Sequence, residues 1–363
     1  MKFARLVLVV VFMCTLLVVP AQAKQAAAAP HFSAELLSQC FGAYGLGDSW
    51  HVTGVLSNAA GKAVANYSGD ADVTGGIYDA CFSPADANSV IKPGYKMSFS
   101  VYDASSTLQG SYSIVVPNIS ITAYNLATGA VSGAGPKGKS LSVNWTHANL
   151  NATQTYSEGY KTVKVPATGL WSVNFATTKF RGGDPVHMWV TMNNNFAFER
   201  YFHLPYVSCG LKTNVCSVHG MPLQAVSVNI VHGGKTYKLA GKFNVAGVYT
   251  AKLVTATGSA ILLVPGDKVT ATGIAGTYVV AKLTAAADLT SSVISGKAPA
   301  SRYFNVWVKN DTMYFPHWTG SNAAGNYSAS FSDLSPEVPF TIIVDYIDKV
   351  SGNETTLSVD ITG

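Results

Sequence analysis

The chain has 363 residues, of which 12% are charged, and its formal net charge at pH 7 is +5. Lysine and arginine form no cluster, so the sequence has no electrostatic footprint for nucleic-acid binding. Glycine, serine, threonine, valine, alanine and tyrosine are abundant, and this composition favours strands over helices.

The amino terminus has the pattern of a secretory signal peptide. Lys2 and Arg5 precede an apolar run at 6–19, and the A-x-A triplet Ala21, Gln22 and Ala23 suits a signal peptidase. An uncleaved membrane anchor is the alternative, but the run is shorter than the about 20 residues that span a bilayer. We therefore expect cleavage after residue 23, which lowers the net charge from +5 to +3. The mature protein is expected to be secreted, extracellular or surface-associated, with no membrane span.

Four cysteines remain in the mature chain: Cys40, Cys81, Cys209 and Cys216. An even number in an exported chain indicates disulfides, and four cysteines allow three pairings. We favour Cys40 with Cys81 and Cys209 with Cys216, because each pair then stays within one half of the chain. The sequence CSVHGM at 216–221 also has the residue types of a blue-copper loop, but its spacing does not match that site.

Apolar and polar residues alternate along most of the mature chain. The clearest examples are Met97, Phe99, Val101, then Val226, Val228, Ile230, then Phe304, Val306 and Val308. This spacing, between turns rich in glycine, proline, asparagine and serine, predicts half-buried strands of about five to eight residues. Only FSAELLSQCFGAYG at 32–45 comes close to helical spacing, so at most one or two short helices are expected.

The sequence contains an internal duplication. LATGAVSGAGP at 126–136 matches LTSSVISGKAP at 289–299, and the strand patterns LSVNW and FNVWV follow them at the same distance. ATGLWSVNF at 167–175 also corresponds to AAGNYSASF at 323–331. Correspondence over such lengths indicates two long repeats. Each repeat is predicted to contain a front and a back β-sandwich module, at 32–117 and 118–205 in the first repeat and at 206–281 and 282–363 in the second.

A glycine followed two residues later by Tyr or Trp recurs through the modules. It occurs at Gly76/Tyr78, Gly110/Tyr112, Gly169/Trp171, Gly247/Tyr249, Gly276/Tyr278 and Gly325/Tyr327. The glycine permits a tight turn, and the aromatic residue is predicted to start an inward-facing row. Tyr327, Ala329 and Phe331 would then be core residues, with Ser328 and Ser330 facing solvent.

Four motifs occur in order over 289–363: VISGKAP, FNVWV, AAGNYSASF and IDKVSGNETTLSVDI. Together they resemble the bacterial Ig-like domains that occur in tandem in surface adhesins and exported proteins. The match at 126–205 is weaker, because VTMNNNFAFE replaces the last turn of the pattern. The resemblance implies tandem antiparallel Ig-like sandwiches, and it implies a stalk or spacer more than an activity.

No common catalytic motif is present in the sequence. It lacks a G-x-S-x-G elbow, a phosphate-binding loop and an HExxH helix, and its eight histidines show no paired ligand spacing. We therefore expect a structural or adhesive protein without enzymatic activity. The alternative is an extracellular carbohydrate-binding protein.

One candidate ligand site is the segment MYFPHWTG at 313–320, which is predicted to be a loop before a strand. It carries four candidate ligand-binding residues: Tyr314, Phe315, His317 and Trp318. Exposed rings of this kind stack on sugars, so a surface glycan or protein is the expected partner. Packing between modules is the alternative interpretation, and we prefer it for FAFERYFHLPY at 196–206, at the junction of the repeats.

A second candidate site is a calcium site at Asp345, Asp348 and Asn353. Carboxylate and amide oxygens near one turn are the ligands that Ca²⁺ prefers. The spacing is not that of an EF-hand loop, and oxygen-rich turns commonly hold no ion, so both interpretations stay open. No other cofactor is expected.

Overall fold

The computed structural model describes residues 29–84, 90–175, 180–193, 195–310, 314–331 and 339–362. The predicted signal peptide at 1–23 lies outside the described residues. The described residues form strands and turns without a helix, and so none of them belongs to a helix that could cross a membrane. The protein is all-β, as its composition and alternation predict.

The described residues of the first repeat form fourteen strands. They are β1 (His31–Glu35), β2 (Cys40–Tyr44), β3 (His51–Ser57), β4 (Ala63–Asp70), β5 (Ile77–Cys81), β6 (Lys96–Tyr102), β7 (Leu108–Val115), β8 (Ser120–Asn125), β9 (Ala130–Ala134), β10 (Ser140–Ala148), β11 (Tyr156–Lys164), β12 (Leu170–Asn174), β13 (Pro185–Asn193) and β14 (Phe196–His203).

The second repeat also contains fourteen described strands. They are β15 (Tyr206–Leu211), β16 (Val215–His219), β17 (Ala225–His232), β18 (Lys235–Lys242), β19 (Val248–Lys252), β20 (Lys268–Ala271), β21 (Tyr278–Val279), β22 (Thr284–Asp288), β23 (Val293–Lys297), β24 (Tyr303–Lys309), β25 (Tyr314–Gly320), β26 (Asn326–Ser330), β27 (Phe340–Ile347) and β28 (Glu354–Ile361).

The two repeats have the same sheet topology. In the first, a seven-stranded sheet has the order β11-β10-β13-β14-β1-β2-β5, beside the sheets β4-β3-β6-β7 and β12-β9-β8. In the second, the orders are β25-β24-β27-β28-β15-β16-β19, β18-β17-β20-β21 and β26-β23-β22. Every strand of the second repeat therefore takes the place of the strand fourteen earlier, and each repeat encloses its own hydrophobic core. The duplication predicted from the sequence is confirmed in the fold.

Each seven-stranded sheet contains one parallel strand pair. β1 lies parallel to β14, with Phe32 beside Phe196 and Glu35 beside Glu199, and the other pairings in this sheet are antiparallel. In the second repeat β15 lies parallel to β28 in the same way. The first and last strands of each repeat are thus neighbours, and a single sheet joins the strands assigned to the front and back modules.

The segment with nearly helical spacing, 32–45, forms the hairpin β1–β2 instead of a helix. Phe32 and Ala34 point into the core, whereas His31, Ser33 and Glu35 lie on the other face, which is the period of a strand. Leu37 then adopts a φ of 69° and helps to reverse the chain. Sheet pairing on both sides of β1 outweighs the local helical pattern in this segment.

The disulfides join Cys40 to Cys81 and Cys209 to Cys216, which are the pairs favoured from the sequence. Cys209 and Cys216 are fully buried and face each other across β15 and β16. The matching cross-strand pair of the first repeat is Ala34 with Phe41, whose phenylalanine ring packs against other rings at the centre of that core. The second core therefore has a disulfide where the first has an aromatic residue.

The repeated glycine–aromatic motif places two rings, those of Trp171 and Tyr327, at matching buried positions. Trp171 is 3% exposed and Tyr327 is 4% exposed, and each lies directly across from a glycine of the neighbouring strand. The Trp171 indole donates to the carbonyl of Ala134, and the Tyr327 hydroxyl donates to that of Thr284. The predicted core role holds for these two rings. It is wrong for Tyr78, which is 57% exposed because it points to the outer face of its sheet.

We expect the substitution Gly296→Ala to destabilise the protein by about 2–3 kcal/mol. A methyl group on Gly296 would lie 1.9 Å from the carbonyl oxygen of Thr284 and 2.9 Å from the ring of Tyr327. Ser295→Ala, one residue earlier on the exposed side of β23, is the matched control and should cost at most about 0.5 kcal/mol. Urea denaturation measures both, and equal costs for the two variants would contradict the packing described.

Candidate functional site

The exposed tyrosines lie on the outer faces of the two seven-stranded sheets. Among the described tyrosines, those at least about a third exposed are Tyr44, Tyr78, Tyr156, Tyr160, Tyr201, Tyr303 and Tyr314. All seven belong to strands of these sheets and alternate with inward-facing residues. The outer sheet faces are therefore the aromatic surfaces of the protein.

On the first repeat, four rings form a continuous line that we call the aromatic row: Tyr160, Trp189, His187 and Tyr201. Ring centroids of Tyr160 and Trp189 are 5.5 Å apart, and those of Trp189 and His187 are 5.0 Å apart. His187 and Tyr201 are parallel, with centroids 4.1 Å apart. The outer tyrosines of the row are 58% and 48% exposed. The row therefore crosses β11, β13 and β14, with its two terminal tyrosines exposed to solvent.

Two carboxylates lie beside the aromatic row. His187 Nε2 is 2.9 Å from Glu199 Oε2, and Glu199 is the parallel-register neighbour of Glu35. Burial raises the pKa of Glu35, the nearby Glu199 charge raises it further, and His187 opposes both effects. The surface thus combines aromatic rings with two carboxyl groups, those of Glu35 and Glu199, that can form hydrogen bonds.

The predicted aromatic site at 314–320 is a strand, not a loop, because β25 pairs with β24 along its whole length. Alternation along β25 separates the four candidate residues into two faces. Tyr314 and Trp318 lie on the outer face, where their rings stack on Trp307 and Tyr303.

Phe315 and His317 lie on the other face of β25, in register with Val308 and Val306 of β24. The His317 ring is 5.3 Å from the buried ring of Phe331. These two residues therefore contribute to the sandwich rather than to a surface shared with Trp318.

The two repeats meet where residues 149–155 of the first repeat cover part of the second repeat's outer sheet face. The Trp318 indole donates a 2.8 Å hydrogen bond to the carbonyl oxygen of Asn151. A cavity of about 90 Å³ remains beneath this contact, and its lining includes both Trp318 and Asp345. The structure thus brings together two residues that the sequence assigned to different sites, one for glycans and one for calcium.

The other predicted calcium ligands organise the turn between β27 and β28. Asp348 Oδ1 accepts hydrogen bonds from the backbone N–H groups of Val350 and Ser351. Asn353 is 2% exposed, and its Oδ1 accepts the backbone N–H of Val207 at 2.8 Å. Within the described residues no group of three His, Cys, Asp or Glu side chains is placed to hold a metal ion.

This turn also contacts the first repeat. The backbone N–H of Gly182 donates to the carbonyl oxygen of Ser351 at 3.1 Å. Burial lowers the pKa of the adjacent Arg181, whereas the charges of Asp184 and Asp348 raise it. Asp184 also accepts hydrogen bonds from the Trp145 indole and the Arg181 backbone N–H, so this buried charge is used to hold the loop.

Sequence reasoning missed the aromatic row, although a signal for it was present. In VHMWV at 186–190 the apolar residues Val186, Met188 and Val190 occupy one face of a strand, which leaves His187 and Trp189 on the other. Aromatic residues on the polar face of an alternating strand are candidates for recognition. The inter-repeat cavity had no such signal, because it depends on how the repeats meet.

No protein-family model matches the sequence, and comparison with curated proteins finds no match. The fold resembles a solved tetra-tandem repeat from the extending region of a large adhesion protein (13% identity, 92% of this chain and 99% of that chain, TM-score 0.20). It resembles a Ca²⁺-stabilised adhesin with which an Antarctic bacterium binds ice (14% identity, 92% and 98%, TM-score 0.17). The FN1–FN3 domains of chicken CNTN1 are 12% identical, with coverages of 68% and 98% and a TM-score of 0.17. Likenesses with TM-scores this low carry no inference about function.

His219, on the outer face of β16, is expected to make the protein less stable in acid. Its ring stacks on Tyr206 with centroids 4.2 Å apart, and burial, helped by nearby His203, lowers the pKa of His219 from 6.5 to about 4. The unfolded chain therefore binds this proton more readily than the folded protein. Above about pH 6.5, His219 does not lower the free energy of unfolding. As the pH falls towards 4, protonation of His219 in the unfolded chain lowers the free energy of unfolding.

The variant His219→Phe keeps the ring stack and removes the titration. Between pH 6.5 and 4 the wild type should lose about 1–2 kcal/mol more unfolding free energy than the variant, after allowance for partial exposure. Urea titrations at both pH values measure the difference. An identical pH dependence in the two proteins would contradict the assignment.

Proposed function

We propose that the protein is an exported, non-enzymatic structural or adhesive protein that acts at or outside the bacterial cell surface. The observation that carries the proposal is the duplicated topology, in which each repeat pairs its own first and last strands. Duplication of a self-contained unit extends a rod or multiplies weak contacts. The two disulfides support an oxidising compartment.

The sequence resemblance to bacterial Ig-like repeats supports the same role, and we assign the four sandwich modules the boundaries predicted from the sequence. The signal peptide at 1–23 accounts for export. Two carboxylates support a structural use, since buried Asp184 and partly buried Asp348 hold loops through backbone hydrogen bonds. A surface glycan or another protein is the proposed partner.

Labelling of intact producing cells with a membrane-impermeant biotin reagent tests the location. We expect the protein to be labelled before lysis, with a cytoplasmic enzyme as the unlabelled control, and the purified protein to contain no free thiol. Labelling only after lysis would contradict the extracellular role. Turnover of any substrate that is abolished by a single substitution would contradict the non-enzymatic part.

Carbohydrate binding is the second candidate function, and the aromatic row supports it. Rings aligned across a sheet face can stack on successive sugars, while Glu199 can accept hydrogen bonds from hydroxyl groups. This places the candidate surface on the first repeat, whereas the sequence favoured aromatic residues of the second.

Pull-down with insoluble cellulose and chitin tests this second function. If either polymer binds, Tyr160→Ala and Tyr201→Ala should each weaken binding by about 5- to 100-fold, since both remove an exposed stacking ring. Tyr78→Ala is the control, because this exposed tyrosine lies on the same sheet outside the row. Equal losses in all three variants would contradict a role for the row.

A further inference from the structure

The cavity between the repeats has the composition of a small binding site. Trp318 and Tyr156 supply aromatic walls, Leu150 and Ile347 supply apolar surface, and Asn305 supplies an amide. Tyr156 is 61% exposed, so the cavity opens to solvent beside it. Few polar groups in a mainly apolar and aromatic concavity are typical of ligand sites, and domain junctions are common places for them.

A single carboxylate defines the polar end of this cavity. Trp318, Asn305 and Asp345 lie in one cross-strand register over β25, β24 and β27, so their side chains share the outer face in a line. Burial raises the pKa of Asp345, although a hydrogen bond with Thr356 partly offsets the effect. Asp345 takes part in none of the ion pairs formed by the described residues.

Asp345 is partly buried, and a bound cation would offset the loss of hydration of its carboxylate. Ca²⁺ takes about six to eight oxygen ligands, whereas this cavity presents one carboxylate beside two aromatic rings. Aromatic faces attract organic ammonium groups through their quadrupoles. The residues therefore suit an organic cation better than the Ca²⁺ ion considered as one possibility in the sequence analysis.

We propose that the cavity between the repeats binds an amino sugar, with its ammonium group on Asp345 and its ring against Trp318 and Tyr156. Asn305 and Gln154, which also lines the cavity, are placed for the hydroxyl groups. At about 90 Å³ the cavity takes one end of a ligand, so a terminal sugar of a glycan is its occupant. The inference rests on the proposed adhesive role and names the chemical class of its partner.

The site needs both repeats. The first repeat contributes Leu150, Gln154 and Tyr156, and the hydrogen bond from Trp318 to Asn151 holds its segment in place. The second repeat contributes the carboxylate. Binding should therefore be measured on the full chain rather than on one repeat.

Isothermal titration of the full mature chain with glucosamine and with glucose tests the proposal, at a pH where the amine is protonated. The two sugars differ by the amine, so glucosamine should bind about tenfold or more tightly than glucose. Asp345→Asn should remove this preference. Asp360→Asn, which removes an exposed carboxylate from β28 in the same sheet, should bind as the wild type does.

Tyr156→Ala is a second variant that leaves the Trp318–Asn151 hydrogen bond intact, and it should weaken binding of both sugars. Equal affinities for glucosamine and glucose, an unchanged preference in Asp345→Asn, or no binding at all would overturn the proposal. Thermal unfolding of each variant shows whether it is folded. Surface labelling is independent of this titration. If the protein is labelled on intact cells but does not bind glucosamine, the cavity assignment is refuted and the proposed surface role is not.

Discussion

The parallel pairing of the first and last strands is the constraint on which each repeat depends. β1 cannot lie beside β14 unless the intervening twelve strands bring the chain back to its start, and β15 and β28 impose the same condition on the second repeat. The pairing joins front and back strands into one seven-stranded sheet. It also creates a broad outer face, on which the aromatic row and the cavity residues lie. The same strand pairing therefore determines the fold of each repeat and the sheet face on which the candidate sites lie.

Much of the fold follows from local sequence patterns. Alternation such as Phe304, Val306, Val308 places a strand because each inward side chain is buried, and repeated phrases place Trp171 and Tyr327 at equivalent positions. The parallel pair could not be predicted, because its partners are separated by a whole repeat and share no motif. The conformation of the segment at 32–45, which has nearly helical spacing, could not be predicted from local patterns either, because pairing of β1 with strands on both sides makes it extended.

The candidate sites were harder to predict than the core, because the two repeats share their strand order and their inward apolar pattern but differ in their outward residues. The position that holds Trp189 in the first sheet holds Asp345 in the second, each in register with the neighbouring strand. Sequence analysis named Trp318 and Asp345 separately, but strand pairing through Asn305 aligns them on one sheet face, and residues of the segment 149–155 line the same cavity. The spacing of residues along the chain does not predict such a contact between the repeats.

The parallel pair also determines how the protein responds to tension. When the two ends of a repeat are pulled apart, β1 is drawn towards its start and β14 towards its end, so the strands slide lengthwise against each other. The bonds that join them, such as Phe32 N–H to Asn195 at 2.7 Å and Leu36 N–H to Glu199 at 2.8 Å, are then loaded together in shear rather than opened one by one. Only Leu204 and Pro205 separate β14 from β15, so force passes directly into the equivalent parallel pair, β15 with β28, in the next repeat.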